Sequence, residues 1–254
     1  MSTFRSEDGP GGEGVIRDDT LFSGRLHCRQ HAGGYRFSVD SVLLAGMVPV
    51  RPGDQVLDLG CGCGVIGLIL AFRNPGIHLV GLELQSSLVR LARDNVALGG
   101  FEDRFTIVQG DLRHIDRYLE PESFDQVVCN PPFYPKGSGR MSRGDEQRMA
   151  RHEISATLAD VVRASRFCVR NHGRVSLVYP VMRLGVLVAT LHDQRLGVQK
   201  IVPIYSCPED DRACLVVVQA IKNGGGETLL APPIYIYAHR NGPWSPAMER
   251  LYEE

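Results

Sequence analysis

The 254-residue sequence lacks any uncharged apolar run of about eighteen residues, so no helical bilayer span is expected in it. It has no excess of either charge: 28 Lys and Arg stand against 29 Asp and Glu, a formal net charge of -1. A balanced total excludes a globally basic polyanion binder, so any site for a charged partner has to come from local clustering. The opening stretch, MSTFRSEDGPGGEGVIRDD, lacks the apolar core of a secretory signal. It reads as a Gly-rich, mildly acidic disordered tail over residues 1–20. The seven cysteines are odd in number and scattered through apolar contexts, which argues against a disulfide framework. Cys61 and Cys63 alternate in a Gly-rich turn, but no second Cys/His pair at zinc-ligand spacing accompanies them, so no metal is expected. These absences point to buried or loop thiols in a reducing, cytoplasmic setting with no membrane partner.

What is present is core material and a regular alternation. Hydrophobic residues make up 43% and charged residues 22%, enough apolar mass for a sizeable core. After a short N-terminal arm (residues 21–50), short apolar runs alternate with amphipathic stretches from Arg51 to the end, as in a sheet covered by helices. Strands are expected at Gln55–Leu59, His78–Glu83, Phe105–Val108, Phe124–Cys129, Gly173–Tyr179, Val198–Ile204 and Ala213–Ile221. Helices are expected at Val65–Arg73, ended by Asn74-Pro75-Gly76, at Ser86–Leu98, ended by Gly99-Gly100, from about Glu153 to Arg170, and through Arg195. The fold class is α/β: a Rossmann-like, doubly wound sheet of seven strands, mostly parallel. The close spacing of the last two strands implies an antiparallel edge pair, with a C-terminal strand extension beyond.

The chemistry concentrates where the first four strands end. Asp58-Leu59-Gly60-Cys61-Gly62-Cys63-Gly64 marks a strand passing into a helix, where glycines let a ligand approach the backbone and the helix start presents free N–H groups. A tight turn that binds nothing is the plain alternative. Gly62-Cys63-Gly64-Val65-Ile66-Gly67 also satisfies the dinucleotide pattern G-x-G-x-x-G, whereas the absence of Gly-Lys-Ser/Thr excludes a nucleoside triphosphate loop. Glu83 ends the second strand, placed to accept two ribose hydroxyls. Asp111 follows the third strand, where a carboxylate can accept from an adenine amino group or simply cap a helix. An acid after each of three strands suits an adenosine from end to end.

Asn130-Pro131-Pro132-Phe133 closes the fourth strand. Two prolines fix an extended turn without free N–H groups, so carbonyls point outward, and Asn130 adds a side-chain carbonyl. Such acceptors suit an NH2 group whose lone pair is delocalised. Taking both its hydrogens favours a more pyramidal, nucleophilic nitrogen. Phe133 offers a flat face for a planar substrate.

Together these motifs resemble class I S-adenosylmethionine-dependent methyltransferases of the amino-group type. The flanking segments Gly34–Ala45 (GYRFSVDSVLLA), Arg151-His152-Glu153, Lys222-Asn223-Gly224-Gly225 and Pro232–Tyr237 (PPIYIY) are similar to bacterial valine-tRNA adenine-N6 methyltransferases, from about Leu21 to Tyr252. The resemblance implies a methyltransferase domain over residues 51–254 and S-adenosylmethionine as cofactor. It implies cofactor contacts from Phe37, Ser38, Asp40, Asp58, Gly60, Cys61, Gly62, Glu83, Leu84, Asp111, Leu112 and Asn130, and a catalytic loop of Asn130, Pro131, Pro132 and Phe133. The implied substrate is an adenine of tRNA beside the anticodon. Many adenine-methylating members carry Tyr where Phe133 stands; phenylalanine occurs in guanine-N2 methyltransferases of ribosomal RNA, which keeps that base open. Protein glutamine-N5 and small-molecule amine methylation also use such a loop. An NAD-dependent oxidoreductase would leave Asn130-Pro131-Pro132-Phe133 and Asp111 unexplained, and a vestigial RNA-binding module is at odds with the intact glycines.

Between Lys136 and Arg174 stand nine Lys and Arg against four acids, an excess of five just beyond that loop. Lys136, Arg140, Arg143, Arg148 and Arg151 are read as contacts to an RNA backbone, and the later ones as a solvated helix face. Ser38 or Asp40 otherwise caps a helix over Ser41–Val48. No general base is assigned, because the proton of a methylated cationic nitrogen departs to water.

Overall fold

The computed structural model describes residues 16–31, 39–131 and 156–253. A hairpin of β1 (Ile16–Leu21) and β2 (Leu26–His31) is followed by α1 (Val39–Met47), β3 (Gln55–Leu59), α2 (Val65–Arg73), β4 (His78–Glu83), α3 (Ser86–Leu98), β5 (Phe105–Gln109) and β6 (Phe124–Cys129). Then come α4 (Leu158–Cys168), β7 (Val169–Pro180), α5 (Leu184–Asp193), β8 (Leu196–Tyr205), β9 (Leu215–Lys222), the short β10 (Leu229–Leu230) and β11 (Ile234–Tyr235), and α6 (Pro246–Glu253).

The main sheet runs β10-β8-β9-β7-β6-β3-β4-β5, with β11 also on β8. Strands β7, β6, β3, β4 and β5 are mutually parallel. Strand β9 is antiparallel to both β7 and β8. The seven strands from β3 to β9 are those expected, and β10 and β11 extend the β8 edge in parallel. Residues alternate faces along each strand, which separates two cores. Val56 and Val128 face the core built with α1, α2 and α3. Leu57, Leu59, Val127 and Cys129 face the one built with α4 and α5. Because β3 to β6 are parallel, Asp58, Glu83, Asp111 and Asn130 all come to one edge of the sheet. Chain order reverses between β3 and β6 there, the point where open α/β sheets bind ligands.

Several boundaries differ from expectation; β7, for one, begins at Val169, where the preceding helix was expected to continue to Arg170. The tail expected over residues 1–20 ends in a strand: Ile16–Leu21 pairs antiparallel with Leu26–His31. Its polar sequence hides this, because its order comes from β2, whose Leu26 and Cys28 are buried. Buried Asn95 of α3 anchors the hairpin, its Oδ1 accepting from the Arg29 N–H (2.8 Å) and its Nδ2 donating to the Arg29 and Cys63 carbonyls (both 2.9 Å). Helix α4 begins at Leu158 rather than near Glu153, because Thr157 and Asp160 form a capping box. Asp40 lies inside α1 rather than before it.

The Lys222-Asn223-Gly224-Gly225 segment forms a latch at the opposite end of the sheet from Asn130. Lys222 is 1% exposed. Its Nζ donates to the carbonyls of Arg166 (2.9 Å) and Val169 (2.8 Å) and pairs with Glu122 at 2.7 Å. Glu122 is half exposed, so the carbonyls rather than the ion pair carry the cost of removal. Lys222→Met is expected to lower the unfolding free energy by about 2–4 kcal/mol, since it leaves two carbonyls without their donor. A reduced midpoint in urea unfolding measures it; an unchanged midpoint contradicts the latch.

Candidate active site

The Gly-rich turn is held by bonds that tie it to β4 and α2. The N–H groups of Gly60 and Cys61 both donate to the Leu82 carbonyl, at 2.8 and 3.0 Å. Gly60 and Gly62 have φ of 76° and 58°, which side chains rarely adopt, and a Cβ at either would meet nothing within 4 Å among the described residues. The turn therefore presents bare backbone to open space. Gly67 serves packing instead: a Cβ there would lie 2.2 Å from Cζ of Phe105.

Asp58 is fully buried beneath the turn. Its Oδ2 accepts from the Gly67 N–H at 3.1 Å, and its Oδ1 has no hydrogen-bond partner. Burial pushes its pKa up to about 7; the Gly67 N–H opposes the shift and the Glu83 charge adds to it. Glu83 is 7% exposed. Its Oε2 accepts from Gly62 N–H (3.0 Å) and its Oε1 from Gln85 N–H (2.9 Å), so each oxygen keeps a lone pair. Leu84 beside it is exposed.

Asp111 caps the 3-10 turn Leu112–Arg117, its side chain accepting from the Arg113 N–H at 2.9 Å. The Arg113 guanidinium grips the same carboxylate, at 3.0 Å from Nε and 2.5 Å from an Nη, and holds its pKa below the usual range. Leu112 packs against the α4–α5 core. Cys61 packs toward Gly81, whose added Cβ would sit 2.9 Å from its Sγ; burial, with the charges of Asp58 and Glu83, raises its thiol pKa.

Asn130 stands just past β6, half-buried, followed by buried Pro131. Its Nδ2 donates to Ser41 Oγ at 3.3 Å. Its Oδ1 is buried without a partner. Among the described residues the edge thus carries two unpartnered oxygens, one on Asp58 and one on Asn130. Phe37, Ser38, Pro132, Phe133, Lys136, Arg140, Arg143, Arg148 and Arg151 lie outside the described residues. Ser41 and Arg113 belong to the site and were missed in the sequence. Arg113 had a signal, an Arg two residues after a candidate cap, whereas nothing local pairs Ser41 with Asn130.

Residues 35–152 match the methyltransferase small domain family. The chain is similar to that family over just under half of its length. This methyltransferase is 29% identical over 191 residues to the tRNA1(Val) (adenine(37)-N6)-methyltransferase of Shewanella putrefaciens, covering 73% of this chain and 79% of that one. It is 32% identical over 147 residues to the protein of that name from Bacteroides thetaiotaomicron, covering 57% and 60%. The family resemblance read from the sequence is borne out. Among solved structures, a predicted O-methyltransferase from Agrobacterium tumefaciens has a TM-score of 0.68 at 22% identity, covering 84% of this chain and 95% of that one. A geranyl diphosphate methyltransferase in complex with SAM scores 0.51 at 16%, covering 72% and 84%. These likenesses bear out the fold class. The residues present suit S-adenosylmethionine: open backbone at Gly60 and Gly62, an accepting carboxylate at Glu83 and a spare oxygen on Asp58.

A raised pKa in the folded chain means that folding favours the protonated carboxyl. Asp58's contribution to stability is complete below its unfolded pKa and is lost as pH rises toward about 7. Without cofactor, wild type is therefore expected to lose more unfolding free energy between pH 5 and pH 8 than Asp58→Asn does. Urea unfolding of both at the two pH values measures this; equal losses would show that Asp58 does not titrate in that window.

Proposed function

We propose that this methyltransferase methylates the exocyclic amino nitrogen of an adenine in tRNA. The observation that carries this reading is the Oδ1 of Asn130, buried and, among the described residues, unpartnered at the end of β6. An acceptor aimed there costs no reorganisation when an NH2 group arrives, and it stabilises charge as it develops on the nitrogen. Pro131 and Pro132 have no N–H groups to compete with the amine. Phe133 then stacks on the base. The bound S-adenosylmethionine supplies a methyl group on a positively charged sulfur.

Asp58, Gly60, Cys61 and Gly62 line the cofactor's methionine end in this reading, and Glu83 accepts its ribose hydroxyls. Leu84 and Leu112 flank its adenine, and the Asp111–Arg113 pair meets the adenine edge. Phe37, Ser38 and Asp40 contribute from the segment before and at the start of α1. The proton of the methylated nitrogen departs to water, so no side chain has to act as base. The names of the relatives support tRNA and adenine as partner and base. Lys136, Arg140, Arg143, Arg148 and Arg151 grip the RNA backbone, their charge following directly on the catalytic loop.

Incubation with methyl-labelled S-adenosylmethionine and bulk tRNA lacking its natural modifications, then digestion, is expected to put label in N6-methyladenosine. Label in a guanosine overturns the base, and label absent from tRNA overturns the substrate. Asn130→Ala is expected to lower kcat by about a hundredfold or more while cofactor affinity stays within about twofold. Equal loss of turnover and of cofactor binding would sink the role given to Asn130.

A further inference from the structure

An asparagine amide has nearly the same shape with its oxygen and nitrogen exchanged, so hydrogen bonds alone decide which end points where. For Asn130 the choice is decisive. With Oδ1 toward the substrate an amino group meets an acceptor; after a flip it meets two more donors and is repelled.

One described side chain holds the nitrogen end. Ser41 Oγ accepts from Asn130 Nδ2 at 3.3 Å, a contact between residues 89 apart in the chain. Ser41 is 5% exposed and begins a run of five consecutive buried residues, Ser41 to Ala45, in α1. The far end of α1 is fixed as well: the Met47 carbonyl accepts from Gln219 Nε2 at 2.7 Å. Leu251 of α6 packs so closely on Gly46 that a Cβ there would be 2.2 Å from its Cδ2. The hydroxyl thus belongs to an anchored helix rather than to a loop, as a group that orients another must.

We propose that Ser41 is a positioning residue that holds the Asn130 amide with Oδ1 free for the target amine; this rests on the reading of Asn130 given above. In the observed arrangement the hydroxyl oxygen gives Nδ2 an acceptor. An alanine methyl gives none, and the amide then samples both orientations.

Two measurements on the full chain test this. The first needs no substrate. The side-chain NH2 resonances of Asn130, assigned by their loss in Asn130→Ala, are expected to shift and to exchange faster with solvent in Ser41→Ala. Resonances that stay in place overturn the contact. The second is turnover with labelled S-adenosylmethionine and bulk tRNA lacking its natural modifications. Ser41→Ala is expected to lower kcat about three- to tenfold, the worth of one neutral hydrogen bond, with KM and cofactor affinity within about twofold. Ser41→Thr restores the rate, whereas Ser41→Cys, similar in shape but a weak acceptor, does not. In an Asn130→Ala background Ser41→Ala is expected to have no further effect. An equal loss in both backgrounds overturns the proposal and leaves the role of Asn130 standing. Full turnover by Asn130→Ala overturns both.

Discussion

Parallel pairing of β3, β4, β5 and β6 makes their carboxyl ends share one edge, and every group with chemistry to offer hangs from it. A reversed strand among them would carry its terminal residue to the opposite end. The constraint comes from hydrogen-bonded register, such as Leu59 against Leu82 and Glu83 against Gln109. Asp58, Glu83, Asp111 and Asn130 are brought together by it, though they span more than seventy positions of the chain.

The edge is built by satisfying backbone groups before offering any. Leu82's carbonyl takes two N–H groups of the Gly-rich turn, and Glu83 takes a third from Gly62, so the turn is rigid before a ligand meets it. Preorganisation of this kind lowers the ordering cost of binding. Asp58 and Asn130 are the exceptions, each with a buried oxygen unpartnered among the described residues, and burial pushes the Asp58 pKa up to about 7. An unsatisfied buried polar atom costs stability, and two of those in the described residues, on Asp58 and Asn130, lie at this edge.

Much of the fold was legible. Gln55–Leu59, Val65–Arg73, His78–Glu83, Ser86–Leu98 and Phe124–Cys129 fall where hydrophobic period and breakers place them. These elements bury apolar faces against neighbours on both sides, so local pattern and tertiary need agree. The hairpin strand Ile16–Leu21 was illegible because most of it is exposed and its order depends on its partner. The start of α4 was misjudged because the capping box of Thr157 and Asp160 begins the helix at Leu158. The Lys222 segment was noted only for its family resemblance and is a structural latch, since a buried ammonium among carbonyls leaves no trace of its role in the sequence.

The sequence by itself determined the α/β class, the Gly-rich turn, the acids that end three strands and the acceptor loop begun by Asn130. Each is a local rule: glycine where φ is positive, proline where an N–H must be absent, alternating burial along a strand. Only the tertiary structure decided which atoms of those residues are engaged. Asp111 faces Arg113, Glu83 braces the turn, Asp58 keeps one oxygen spare, and Asn130 turns its nitrogen to Ser41. Those outcomes depend on contacts across as many as 89 positions, and no local propensity encodes which lone pair meets which hydrogen.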